Sequence, residues 1–225
     1  MTDKVIGIDL GLKDLFNFSN GEKINNPRWF RESQAKLKTA QRHLSRKQKG
    51  SNRYERQRIK VARIHEKISN QRDYFLHNIS SSLVDNFDVI CVEDLNVQGM
   101  LKNHRLAKSI SDAGWAKFVG MLEYKCNWYG KSFVKVDRWF ASSKTCSSCG
   151  HKTDTMDLSV RSWECPECNT RHDRDLNAAR NILKQGYNDL TSAELVDYKR
   201  GEDVRLFDDS HHLAASVMRS ETVVS

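Results

Sequence analysis

Two short cysteine pairs, Cys146-Ser-Ser-Cys149 and Cys165-Pro-Glu-Cys168, stand 15 residues apart, and this spacing constrains the chain more than any other feature. Each Cys-x-x-Cys turn lets two thiolates converge on one tetrahedral ion, and two such turns complete its shell. A filled shell leaves no position for water, so the Zn²⁺ expected here is structural. Two unrelated thiol pairs in a reducing compartment would not account for the equal spacing. His172 and His151 lie close enough to compete as ligands, although four thiolates suffice. Cys91 and Cys126 fall in apolar stretches and read as small hydrophobes.

The remainder must supply the domain into which this metal module is inserted. At 225 residues the chain is long enough to bury an ordinary core, and 9 Phe, 6 Tyr and 5 Trp exclude a solvated coil. No apolar run approaches the roughly 18 residues of a membrane span. Asp3 and Asp9 interrupt the start where a signal peptide would be apolar. The expectation is a cytoplasmic or nuclear protein with reduced cysteines.

Hydrophobic periodicity predicts alternating strands and helices. Lys4 to Asp9 reads as a buried strand, with Leu15 to Ser19 as its hairpin partner. Pro27 opens a helical stretch that Lys49-Gly50-Ser51 divides in two. Phe87 to Val92 and Phe133 to Val136 read as further core strands, Ala113 to Tyr129 as one amphipathic helix, and Leu176 to Leu183 as another. The pattern is an α/β domain interrupted by a small metal module.

Charge is unevenly spread over this plan. From Arg28 to Arg72, fifteen Lys or Arg oppose three Glu, a net +12. Clustered like charges on two helices repel, and a phosphate backbone relieves that repulsion by counterion release. The candidate nucleic-acid contacts are Arg42, Arg46, Lys47, Lys49, Arg53 and Arg56; a solvated surface is the plainer use. From Tyr187 onward the balance is −4 without aromatic density, which predicts an acidic, weakly ordered tail over 187–225.

Three acids occupy places where folding does not need them. Asp9 interrupts a buried strand, Glu93 ends another, and Asp175 begins the helix after the metal module. Singly they serve as a turn residue, a solvated strand end and a helix-start acid. Together they meet the requirement of two divalent cations for several anionic oxygens on rigid elements, the arrangement that hydrolyses phosphodiesters.

Five motifs then fall in order: Gly7-Ile8-Asp9-Leu10-Gly11, Val92-Glu93-Asp94-Leu95, Ser111-Asp112-Ala113-Gly114-Trp115, the knuckle from Ser142 to Gly150, and the run Asp173-Arg174-Asp175-Leu176-Asn177-Ala178-Ala179-Arg180-Asn181-Ile182. In these the chain resembles the TnpB (OrfB) proteins of insertion sequences, relatives of type V CRISPR nucleases, over about Val5 to Gly186. The resemblance implies a RuvC-like, ribonuclease-H-type mixed sheet flanked by helices, with a zinc ribbon inserted before the last acid. It implies Asp9, Glu93 and Asp175 as catalytic ligands of Mg²⁺ or Mn²⁺, with Asp173 a weaker substitute for Asp175, and Cys146, Cys149, Cys165 and Cys168 as ligands of structural Zn²⁺. It also implies metal-dependent DNA endonuclease activity tied to transposition, with DNA and a guide RNA as partners.

The implied domains are a nuclease core over 1–140 containing the basic helical hairpin 27–84, a ribbon over 141–172, and the last acid and helix over 173–186. Family members carry a long N-terminal part before the first nuclease strand, which here starts at residue 4. The expectation is therefore a fragment, or one half of a split enzyme with a separate N-terminal partner chain. A nucleic-acid-binding regulator and an inactive remnant are the competing functions; intact acids favour the enzyme.

Overall fold

Strand β1 (Val5–Leu10) alternates faces, as any strand must, and this alternation organises the domain. Ile6, Ile8 and Leu10 are buried in the main apolar cluster, which leaves Gly7 and Asp9 on the opposite face. Chain reversal then adds β2 (Asp14–Phe18) antiparallel to β1, with Asp9 opposite Asn17, and β3 (Lys23–Asn25) antiparallel to β2. The computed structural model describes residues 4–157 and 159–200, with side chains through residue 193.

A helical hairpin follows. Helix α1 (Trp29–Ser45) and the 35-residue α2 (Asn52–Asn86) are separated at the predicted break. Gly50 adopts φ 83°, and the Ser51 hydroxyl accepts the Tyr54 N–H at 3.1 Å as the N-cap of α2. The far half of α2 buries Leu76, Leu83 and Val84 in the core, while Arg42, Arg46, Lys49, Arg53 and Arg56 stand exposed around the α1–α2 turn and Lys47 is half-buried. Trp29 and Phe75 pack edge-on at 5.1 Å.

Strand β4 (Val89–Glu93) returns parallel to β1, and β5 (Ser132–Val136) parallel to β4, giving the order β3-β2-β1-β4-β5. The unbroken Val-Ile-Cys-Val of β4 suits a strand covered on both faces. Between β4 and β5 lie α3 (Val97–Met100), α4 (Ala107–Ala113) and α5 (Trp115–Trp128). The helix predicted over 113–129 is α5, drawn in to Trp115–Trp128, and α4 before it was not foreseen. Gly114, at φ 70°, caps α4 and starts α5, so the apolar stripe of Trp115, Phe118, Leu122 and Cys126 belongs to a fresh helix, and Tyr129 lies exposed beyond it.

The cysteine segment carries a small hairpin, β6 (Ser162–Glu164) with β7 (Arg171–Asp173), and α6 (Arg174–Arg200) follows directly. The expected tail is thus corrected over 187–200, where the chain is helical; 201–225 lies outside the described residues. Contacts divide the chain at Asp189, and the described part of 190–225 is the end of α6. Among the described residues no helix is long and apolar enough to cross a membrane.

Two glycines seat α6 against the free face of the sheet. A Cβ on Gly7 would stand 2.3 Å from the Ala179 carbonyl oxygen and 2.7 Å from Leu183 Cβ, and one on Gly186 would meet Cys91 Sγ at 2.6 Å. The cysteine thiols read as hydrophobes are buried, and burial pushes Cys91 to about 12 and Cys126 to about 11. Gly7→Ala must push α6 off the sheet. It should cost about 1–3 kcal/mol, the usual toll of overpacking, and urea unfolding against wild type will measure it.

Candidate active site

The same alternation that buries Ile90 and Val92 turns Cys91 and Glu93 toward α6, beside Gly7 and Asp9. Asp175 lies in the first turn of α6, four residues before Ala179, on the helix side that meets the sheet. Two parallel strands and one helix start therefore deliver the three predicted acids to one region. Burial raises the Asp9 carboxyl to about 7, with the charges of Asp175 and Glu93 adding to the effect. Burial, then Asp94, also raises Glu93.

Neighbouring groups hold this arrangement. Asn17, directly across the β1–β2 ladder, is buried and donates Nδ2 to Asp9 Oδ2 at 3.1 Å. The Arg161 guanidinium lies 3.9 Å from Asp175 Oδ1. Asp173 has a different task. Its Oδ1 accepts the N–H groups of Asp175 and Leu176 at 3.1 and 3.0 Å, and its Oδ2 pairs with Lys23 at 2.9 Å. Burial pushes its carboxyl up, but the Leu176 N–H and Lys23 outweigh it and hold the group below the usual range. Asp173 is the N-cap of α6, which leaves Asp175 as the acid free to hold a cation.

The four predicted cysteines converge: their sulfur atoms all lie within 4.8 Å of one another, with Cys146–Cys168 and Cys149–Cys165 each at 3.6 Å. A tetrahedron of ~2.3 Å metal–sulfur bonds has edges of about 3.8 Å, so the donor set fits zinc. Cys168, 3.2 Å from Thr170 Oγ1, is drawn down to about 6, first by that hydroxyl and then by the Thr170 backbone. His172 is not among the clustered ligands; its Nε2 lies 3.1 Å from Cys146 Sγ, placed to donate to a thiolate. His151 sits outside the cluster as well, 3.8 Å from Glu167. Among the described residues the four cysteines form a group whose donor atoms all lie within 4.8 Å of one another, and the three carboxylates form no such group.

Three buried polar residues escaped the sequence reading. Beyond Asn17, α6 contributes Asn177 and Asn181, which grip the ribbon's first knuckle. Asn177 accepts the Ser147 N–H at 2.9 Å and donates to the Thr145 carbonyl at 2.7 Å, while Asn181 donates to the Ser142 carbonyl at 2.8 Å. Both asparagines lie in the quoted Asp173–Ile182 run, one turn apart on the helix, and that spacing was the available signal.

Residues 1–104 match the OrfB_IS605 family model, described as a probable transposase, and residues 115–182 match the Cas12f1-like TNB domain. A Streptomyces pristinaespiralis protein provisionally named RNA-guided DNA endonuclease is 49% identical over 185 residues, covering 82% of this chain and 46% of its own. The provisionally named RNA-guided DNA endonuclease InsQ of Escherichia coli K12 is 33% identical over 211 residues, covering 87% and 52%. The chain thus spans about half the length of the curated relatives it matches. Among solved structures, the Cas12f1–sgRNA–target DNA complex superposes with TM-score 0.57 at 22% identity, over 81% of this chain and 50% of that one; the mixed α/β fold is the RuvC-like one. Sequence motifs, sheet order and family matches agree that the chain belongs to the TnpB (OrfB) family.

Proposed function

We propose that this chain is the nuclease part of an RNA-guided DNA endonuclease, hydrolysing phosphodiesters with Mg²⁺ or Mn²⁺ held by Asp9, Glu93 and Asp175, and that Zn²⁺ on its four cysteines is structural. The observation that carries the reading is the convergence of three acids from β1, β4 and α6, felt as the raised pKa of Asp9. A fold collects buried like charges at a net cost unless they serve a ligand of opposite sign. When bound, divalent cations supply Lewis-acid stabilisation of the charge that develops on a phosphate.

The chain's own residues do the rest. Asn17 fixes the orientation of the Asp9 carboxylate, and the Asp173 cap and Lys23 anchor the helix start that presents Asp175. Arg161 offers a positive charge beside Asp175 that a phosphate can share. DNA, with a guide RNA as in the family, is the proposed partner.

The test pairs binding with chemistry. Mn²⁺ binding followed by electron paramagnetic resonance should weaken at least about tenfold in Glu93→Gln, on the scale of losing a metal-site partner. Cutting of a labelled single-stranded oligonucleotide should need Mg²⁺ or Mn²⁺ and vanish in EDTA. Mn²⁺ affinity unchanged by Glu93→Gln would remove Glu93 from the site.

A further inference from the structure

Strand β5 is an edge of the five-stranded sheet, and among the described residues no strand other than β4 pairs with it. Its even-numbered residues turn their backbone groups to β4: the Ser132 N–H donates to the Asp88 carbonyl and the Val136 carbonyl accepts the Asp94 N–H, both at 2.9 Å. Alternation then turns the N–H and carbonyl groups of Phe133 and Lys135 to the outer side. Such a row of outward donors and acceptors is a template for another strand.

The sequence around this edge is complementary to itself. Counted outward from Val134, Phe133, Lys131 and Tyr129 on one side correspond to Lys135, Asp137 and Trp139 on the other. Antiparallel pairing of two copies about Val134 therefore sets Phe133 opposite Lys135 and Lys131 opposite Asp137, a cation beside an aromatic ring and an ion pair. Within one chain Lys135 already stands 5.8 Å from the Phe133 ring centre. The outward backbone groups meet in the same register, because Phe133 of one copy and Lys135 of the other exchange both of their hydrogen bonds. The two adjacent symmetric registers fail. Centring on Phe133 sets Lys131 against Lys135, and centring on Lys135 sets that lysine against itself, like charges directly opposed in both cases.

Groups beyond the strand follow the same symmetry. Tyr129 and Trp139 each lie five residues from Val134 and are 63% and 86% exposed, large aromatic surfaces left in water at opposite ends of β5. Helix α5 reaches the edge through Glu123, which pairs with Lys135 at 2.8 Å. Ala116, Gly120 and Asn127 share the exposed helix side of Glu123, and a Cβ on Gly120 would meet nothing within 4 Å. A glycine inside a helix costs about 1 kcal/mol relative to alanine, and the close approach of another backbone is a use that fits it.

We propose that two copies of this chain pair antiparallel through β5, about a two-fold axis at Val134, and form one ten-stranded sheet. The occupant of the edge is a second copy because one surface supplies both halves of every match, as a closed two-fold interface requires. Both α6 helices then lie on one face of the joined sheet, with the two Glu93 residues about 20 Å apart, three strand spacings across and four residues along it. The pairing needs nothing from the nuclease reading.

The test follows the mass of the full chain by analytical ultracentrifugation over a concentration series, with no nucleic acid present, so the result is independent of whether the chain cuts. Wild type should pass from one chain to two as concentration rises. Lys131→Asp and Asp137→Lys each oppose like charges at both ends of the interface, and each should weaken pairing at least about tenfold. Mixed together, the two variants should pair again, because each then meets an opposite charge at both ends. Should Lys131→Asp misfold through loss of its 2.5 Å pair with Asp88, Tyr129→Ser with Trp139→Ser weakens pairing from exposed positions outside the strand. A wild type that stays a single chain throughout the series overturns the proposal, as do dimers that neither charge change weakens, or folded variants that do not pair when mixed. Pairing that appears only after removal of residues 201–225 assigns the edge to that segment and overturns it as well.

Discussion

Replacing Asp9 by asparagine will lower metal-dependent cutting by at least about 10²–10³-fold, the scale of removing one charge-stabilising group from an active site, and will make the metal-free protein more stable. The two effects have one cause. Burial and the charges of Asp175 and Glu93 raise the Asp9 carboxyl from its ordinary 3.8 to about 7, so the folded protein holds that proton more tightly than the unfolded chain. Stability lost to this site is therefore small below about pH 4, grows as pH rises through 4 to 7, and is complete above 7. At ~1.4 kcal/mol per pKa unit the penalty is a few kcal/mol. Asparagine cannot ionise, so urea unfolding in EDTA should show Asp9→Asn ahead of wild type at pH 8 and nearly level with it at pH 4. No gain at pH 8 would mean that Asp9 is neither desolvated by burial nor held in the field of the other two acids.

Cys165→Ser should release zinc and, with it, most of the nuclease activity, although no cysteine touches the carboxylates. Cys165 is fully buried in the four-sulfur cluster, and opening a closed site forfeits much of the roughly 10–16 kcal/mol that binds a structural zinc. The knuckle organised by that ion supplies the carbonyls of Ser142 and Thr145 and the Ser147 N–H to Asn177 and Asn181. Those asparagines follow Asp175 on the same helix, within its next two turns. When the knuckle loosens, α6 loses its lateral tether and Asp175 its placement, whereas the sheet keeps its own ladder. Zinc content should fall from one per chain to near zero, with far-UV circular dichroism largely retained. Asn177→Ala with Asn181→Ala should keep the zinc yet lose about 10–100-fold in cutting, as for outer-shell partners generally. Full cutting by zinc-free protein would separate the ribbon from the chemistry.

What was legible in the sequence had a period or a spacing. Val-Ile-Gly-Ile-Asp announced β1 and the face on which Asp9 would stand, and the equal cysteine spacing announced the cluster. Strand β3 was not legible, because its three residues carry a single apolar side chain, Ile24, too little to make a period. The break at Gly114 was hidden for the opposite reason: apolar residues continue through it, and only the positive φ marks the end of α4. Helix α4 begins without a side-chain cap, so no start signal was written. Asn17, Asn177, Asn181 and Asp112 are polar residues buried by tertiary contacts, a fate that composition assigns to other residue types.

The seating of α6 on β1 through Gly7 joins one of the earliest elements of the domain to its last, and this orders events during synthesis. A ribosome that has made β1 and β4 has produced Asp9 and Glu93 but not Asp175. At about 5–20 residues per second the third acid follows some 4–16 seconds later, and the helix must then clear the exit tunnel before it can dock. Until then the nascent chain holds two acids of three and no seated helix, so the proposed metal site stays incomplete until α6 has docked.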